Sequence, residues 1–498
     1  MITRLKVSGF KNLVDVDVRL GPFTCLAGRN GVGKSNLFDA IRFLGASAGM
    51  TLAEAASRVR GDRGRTANLA SLFARNAEGS LRPMAFEVEM LVAKSAIDDL
   101  GMPAEATANF LSYKLTLCYR EAEAAARRPE GFEITQEELI HIPKREASRN
   151  LPFTPRSRKW IDSILHVEHR GAPFLSTETE DGQVFIRVHQ EGGSGGRPRI
   201  PAGRLPRTVL SASSAADSPT ALCARRELES WMCLQLEASA LREPDDAGAP
   251  AVLSREGARL PSLLHSVLHE ARAVSPDEAD VAEQSARQAI IDRLRNVIDG
   301  VRNVRVECDE KRDLLGLVVE ENNGRAFPAF ALPDGALRFL ALAVLQQQRS
   351  HGGVICLEEP ENGLHPDRLP ALVALLQDLA ADLDEPAGPA NPLRQVLVAT
   401  HSPILVRCLP DDAILLASSE DASGLKLRFL PETWRSAEDE PAADRLVTRE
   451  EFLEQMDGAL PEQARTFLKA VIRPSERPKS PEEEEDDAQQ MSLGLAAE

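Results

Sequence analysis

The chain has 498 residues, 43% of them hydrophobic and 27% charged, with a formal net charge of −17 at pH 7. That is the make-up of a globular protein with ample material for a core, and the acid excess argues against a chain that coats nucleic acid nonspecifically. No apolar run approaches the about 18 residues needed to cross a bilayer, and Met1-Ile2-Thr3-Arg4-Leu5 alternates where a signal peptide would be continuously apolar. The expectation is therefore a cytoplasmic protein without a membrane partner. Seven scattered cysteines with no C-x-x-C pair read as reduced thiols and not as a disulfide or zinc framework.

In chain order, Leu5–Leu13 and Val14–Leu20 have the period-two alternation of strands. They lead to an apolar run, Phe23–Ala27, then Gly28-Arg29-Asn30-Gly31-Val32-Gly33-Lys34-Ser35, then the helix-like Asn36–Leu44. A G-x-x-x-x-G-K-S stretch between a strand and a helix is a phosphate-binding P-loop. Its glycines let backbone N–H groups wrap the phosphates of ATP at a helix N-terminus. Gly28, Asn30, Gly31, Gly33 and Asn36 are its expected nucleotide contacts, Lys34 its reach to the β- and γ-phosphates, and Ser35 its Mg²⁺ ligand.

Further alternating runs at Ala85–Val92, Tyr113–Tyr119 and Phe132–Ile140 predict an antiparallel β lobe. From Pro143 to Arg207 periodicity weakens and basic residues accumulate, the pattern of solvated loops. His166, His169 and His189 in this stretch lack the carboxylate or cysteine spacing of a metal site. Helical patterns cover Ala221–Leu241, Leu260–Ala273 and Pro276–Val297, with no sustained heptad and hence no long coiled-coil arm. Val304–Cys308 and Leu314–Glu320 return to strand character, with Glu321-Asn322-Asn323-Gly324 as a hairpin-like turn.

Val354–Leu357 is an apolar strand that ends on Glu358-Glu359-Pro360, a Walker B element. Glu358 lies where ATPases that resemble this element place a Mg²⁺ contact, direct or through water, and Glu359 is expected to orient and polarise the attacking water; phosphoryl transfer asks mainly for such positioning. A second apolar strand, Gln395–Thr400, closes on His401-Ser402-Pro403, where His401 can reach a γ-phosphate. Ala413–Leu416 and Leu425–Phe429 read as final strands, Glu450–Met456 and Pro461–Ile472 as short helices.

Taken together, Gly9-Phe10-Lys11-Asn12, Gly28–Asn36, Leu332–Leu337, Glu358–Pro366 and Thr400–Pro403 resemble the ABC-type ATPase heads of the RecF, structural-maintenance-of-chromosomes (SMC) and overcoming-lysogenization-defect (OLD) proteins. The likeness extends to stand-alone bacterial ATPases of this group, including those of the Septu and retron anti-phage systems. It covers about residues 1–95 and 300–418. The resemblance implies an α/β fold, an ABC-type P-loop head with a mixed sheet, an antiparallel β lobe and a helical insertion. It divides the chain into 1–95 and 301–418 as the two halves of the head, 96–300 as an insertion, 419–474 as an extension and 475–498 as an acidic tail. It also implies a homodimer, with higher oligomers open, in which two ATPs are sandwiched and the P-loop of one copy faces the signature segment Leu332–Arg338 of the other. Gly335 would then approach the γ-phosphate. Pro333 stands where the family usually has Ser, which removes a hydroxyl and predicts slower hydrolysis. A contact from Lys11 or Asn12 to the nucleotide, and a linking loop near Leu69–Phe73, follow from the same likeness.

The implied function is an ATP-hydrolysing switch that acts on DNA or controls a separate effector or nuclease chain, in defence or repair. The alternative is a slowly hydrolysing, ATP-dependent assembly scaffold. The roughly 80 residues after the last head strand are too few for a typical nuclease domain of its own. Within the tail, residues 490–495 have the Gln and leucines of a peptide that binds the bacterial sliding clamp.

Overall fold

A computed structural model of the chain describes residues 1–59, 69–122, 130–153, 159–167, 171–189, 191, 199–274, 279–348, 352–419, 424–436 and 445–457. The expected helix Pro461–Ile472, the acidic tail and the clamp-like peptide at 490–495 lie outside these residues.

The apolar runs of the head assemble into one six-stranded sheet. Its order is Met232–Leu234, Gly353–Glu358, Arg394–Thr400, Phe23–Ala27, Ile414–Ser419 and Leu425–Arg428. The first five strands are parallel and the last is antiparallel. A parallel strand covered on both faces has no solvent side, so it reads as a continuous apolar run and not as an alternation. Arg394–Thr400 is buried at every position. The consequence for the site is topological. The strand that leads to His401 lies between the strand that leads to the P-loop and the one that ends on Glu358, so all three deliver their residues to one edge of the sheet.

The alternating runs form an eight-stranded antiparallel sheet instead, with Ile2–Phe10 between Leu13–Arg19 and Met84–Leu91, followed by Phe110–Arg120, Gly131–His141, Leu175–Glu180, Gln183–Val188 and Ile200–Pro201. The helix Lys34–Ser47 that follows the P-loop is buried between the two sheets. Phe43 on that helix packs against Phe10, Phe86 and Phe132 of the antiparallel sheet at ring separations of 6.1, 5.7 and 5.9 Å. A second core lies on the other face of the parallel sheet, under Leu260–Val274, Ala279–Leu294, Asp334–Gln347 and Leu369–Leu379. A small sheet built on Val301–Asp309 and Leu314–Glu321 adjoins it, and the predicted turn at Glu321–Gly324 joins Leu314–Glu321 to Ala326–Pro328.

The antiparallel sheet carries one fully buried carboxylate. Glu137 accepts from the backbone N–H groups of Val209 and Leu210, both at 2.8 Å, and from the Tyr113 hydroxyl at 3.1 Å. Burial pushes its pKa up to about 7 even so, against the pull of those donors.

Two expectations need correction. The single helix over Ala221–Leu241 is a helix Pro219–Glu229, a strand Met232–Leu234 and a helical turn Ala238–Leu241. Met232-Cys233-Leu234 is recruited as an edge strand beside Gly353–Glu358, where pairing outweighs the local helical pattern. Residues 143–207 are not loops throughout: Leu175–Glu180 and Gln183–Val188 form a hairpin that extends the antiparallel sheet. Their Thr, Glu and Gln positions give little apolar alternation because these strands sit toward the sheet's exposed end.

Candidate nucleotide site

The P-loop leaves Phe23–Ala27 exposed at Arg29, Asn30 and Gly31, then turns into the helix at Lys34. Gly33 has a φ of 110°, and a Cβ there would sit 2.3 Å from Nδ2 of Asn12. Only glycine meets both conditions. Asn12 itself braces the loop: its Nδ2 donates to the carbonyl of Val32 at 3.2 Å and its Oδ1 accepts from Nδ2 of Asn36 at 2.7 Å. Lys11, which the sequence also offered as a nucleotide contact, pairs with the buried Asp39 of the P-loop helix at 2.7 Å. Leu69–Leu72 forms a short helical turn whose Leu72 carbonyl accepts from the Lys11 N–H at 2.8 Å.

Lys34 is buried. Its ammonium donates to the carbonyls of Gly28 and Arg29 at 2.6 and 2.8 Å. Burial lowers its pKa, opposed by the nearby carboxyl groups of Glu359 and Glu361. These are loop carbonyls that a bound phosphate would replace as partners. Ser35 donates to Oε2 of Glu358 across the loop at 3.0 Å. A hydroxyl and a carboxylate oxygen brought together in this way are the donor types a small, hard Mg²⁺ ion takes.

On the facing strand end, Glu359 adopts a φ of 48°, a left-handed conformation that costs a non-glycine residue about 1 kcal/mol. Its N–H still bonds to the Ala399 carbonyl at 2.8 Å, so the turn is tied to the neighbouring strand. The carboxylate is held from two sides: Nδ1 of His401 lies 2.8 Å from Oε1, and Nδ2 of Asn362 donates to Oε2 at 2.9 Å. Both Glu359 and His401 keep solvent access, at 35% and 43% of their side-chain surface, so the pair faces the space into which a γ-phosphate and water would come.

Gly335 is buried at the start of the helix Asp334–Gln347, and a Cβ there would lie 2.3 Å from the Gly363 carbonyl. Its bareness therefore serves close packing within the chain, on the turn that follows Glu359. Arg338 on the same helix donates to the Asn362 carbonyl and to the Leu236 carbonyl, which links this helix to the residue that holds Glu359. Pro333 precedes the helix with no side-chain capping bond, and Arg242 holds Asp334 at 2.5 Å.

Three features escaped the sequence. Glu361, 8% exposed, accepts from the Thr400 hydroxyl, while its Oε2 is buried with no partner. An unsatisfied buried oxygen of this kind costs about 1–3 kcal/mol, and burial raises the group's pKa. Asn362 is the second. The third is where the expected helix at Glu450–Met456, found as Arg449–Asp457, comes to lie: its Gln455 and Met456 close a cavity of about 400 Å³ on the flank of the P-loop, beside Gly28, Arg29 and Val32. Glu361 and Asn362 fall in the segment Glu358–Pro366 that carries the resemblance, but polar residues in a turn give no periodic signal, so neither stood out with a role of its own.

The family described as AAA domain, putative AbiEii toxin, Type IV TA system matches residues 23–97 and 237–407, segments that hold Gly28–Ser35, Glu358, Glu359 and His401. Motif, topology and family match together describe a P-loop ATPase domain of the AAA type. Solved structures similar to this ATPase domain and its surroundings include the Smc head bound to the C-winged helix domain of ScpA, at 14% identity and a TM-score of 0.44 over 86% of this chain and 98% of that one. The Smc head of Pyrococcus furiosus with an extended coiled coil, bound to the C-terminal domain of ScpA, has 12% identity and a TM-score of 0.41 over 86% and 95% of the two chains. The SMC head of Thermotoga maritima has 10% identity and a TM-score of 0.36 over 86% and 98%. No curated protein matches the chain. Among the described residues, no helix of this ATPase is long and apolar enough to cross a membrane.

Proposed function

We propose that the chain binds and hydrolyses ATP as a dimeric switch, each copy contributing half of two sandwiched sites. The observation that carries the reading is the convergence of Lys34, Ser35, Glu358, Glu359 and His401 on one edge of the parallel sheet, with Ser35 bonded to Glu358 and His401 to Glu359. Backbone N–H groups of the P-loop and Lys34 take the phosphates, Lys34 leaving the Gly28 and Arg29 carbonyls to do so. Ser35 and Glu358 hold Mg²⁺, which when bound neutralises phosphate charge. Glu359 orients the attacking water and accepts its proton, and His401 fixes that carboxylate while contacting the γ-phosphate.

The partner copy supplies the signature segment Leu332–Arg338. Phe330, just ahead of the segment, is 75% exposed, and closure of two copies would cover it. Closure on ATP and reopening on hydrolysis would move the insertion between the halves of the head, residues 96–300, and so gate DNA or a separate effector nuclease in anti-phage defence or DNA repair. The uncapped Pro333 favours a second reading, a slowly hydrolysing assembly scaffold.

The test is phosphate release from MgATP by wild-type protein and by Lys34→Ala, with and without DNA. Wild-type turnover well above that of the variant supports the switch. Equal rates in every condition remove it.

A further inference from the structure

Glu359 and His401 belong to different strand ends, yet their side chains meet at 2.8 Å. The backbone ladder joins the two strand ends, down to the Glu359 N–H on the Ala399 carbonyl, and a buried side-chain contact adds to it next to that pair. Glu361, two residues after Glu359, accepts from the hydroxyl of Thr400, the residue just before His401. Because the Thr400 hydroxyl gives its proton to Glu361, its oxygen is free to accept, and it takes the N–H of Ser402 at 2.9 Å. The backbone on both sides of His401 is thereby fixed to one buried carboxyl group. Thr400 is fully buried and Glu361 nearly so, so this contact is shielded from water, while the other, Glu359 with His401, faces the nucleotide space.

An apolar residue of similar size at 361 would fill the same space without leaving a buried oxygen unpartnered. It would lack an acceptor for Thr400, and Thr400 would then have no fixed orientation from which to hold Ser402. The same strand end also touches the P-loop, since the Thr400 carbonyl accepts from the N–H of Gly28 at 3.2 Å. A shift of Thr400 is therefore felt at both the switch histidine and the first residue of the phosphate loop.

From this arrangement we infer that Glu361 is a positioning residue: through Thr400 and Ser402 it sets the place of His401, and so the hydrogen bond that orients Glu359. The catalytic part of the inference rests on the proposed ATPase reading, whereas the placement of His401 does not. The experiment therefore reads both. In protein labelled with ¹³C at histidine Cε1, the His401 signal is assigned by its absence from His401→Asn. Glu361→Ala and Thr400→Val should each move or split that signal, and Glu361→Gln, which keeps an acceptor for Thr400, should restore it. In parallel, Glu361→Ala should lower kcat by about tenfold or more, as small misplacements of catalytic groups do, with KM for ATP within about twofold, and Glu361→Gln should recover most of the loss. Thr400→Val, nearly isosteric, approaches the contact from its other side should Glu361→Ala unfold. An unchanged His401 signal in Thr400→Val and in folded Glu361→Ala overturns the inference. If wild-type turnover does not exceed that of Lys34→Ala, the ATPase reading fails, and the histidine signals still decide whether Glu361 places His401.

Discussion

Two buried carboxylates show how differently the antiparallel sheet and the edge of the parallel sheet use polar groups. Glu137, inside the antiparallel sheet, has donors on both oxygens, from Val209, Leu210 and Tyr113. Glu361, at the edge that carries the P-loop and switch histidine, keeps one oxygen without a partner, beside a Glu359 held in a left-handed turn and a Lys34 folded back on its own loop. The first carboxylate is part of a finished scaffold. Around the second, one unpartnered carboxylate oxygen and one left-handed turn lie together where a charged ligand would enter.

The sharpest contrast is in pH dependence. Glu137 has its folded pKa raised to about 7 from 4.5, so the fold favours its protonated form. Its contribution to stability is fully present below about pH 4.5 and is lost as pH rises toward 7, a change of about 3 kcal/mol. Urea unfolding at pH 5 and pH 8 should show this loss in wild type, and Glu137→Gln should flatten it without altering nucleotide affinity. A slope that survives the substitution would move the titration elsewhere and erase the contrast.

A smaller effect belongs to the P-loop brace. Asn12→Ala removes the bonds to Val32 and Asn36 and should weaken ATP binding by about 1 kcal/mol, roughly fivefold, by isothermal titration, with little change in melting temperature. Unchanged affinity would make Asn12 part of the scaffold instead.

The parallel strands at Phe23–Ala27, Gly353–Glu358 and Arg394–Thr400 were legible because a strand buried on both faces must be a short apolar run, and such runs stand out. The loop Gly28–Ser35 was legible because its glycines and Lys34, set between an apolar run and a helical one, form a pattern few other segments share, and Gly33 does take up a φ of 110° there. Met232–Leu234 was hidden inside a helical pattern, since its strand state comes from pairing with Gly353–Glu358 and not from its own sequence. The hairpin Leu175–Val188 was hidden by its polar side chains. Glu361 was hidden for another reason: its role depends on Thr400, 39 residues later in the chain, and no local pattern records that meeting.

The central claim is that ATP joins two copies whose P-loops and signature segments complete each other's sites. The direct measurement is the solution mass of Glu359→Gln by sedimentation, with and without MgATP. The expected result is a monomer that becomes a stable dimer with MgATP, and a Lys34→Ala/Glu359→Gln double variant that does not respond. A mass that is the same with and without MgATP would contradict it.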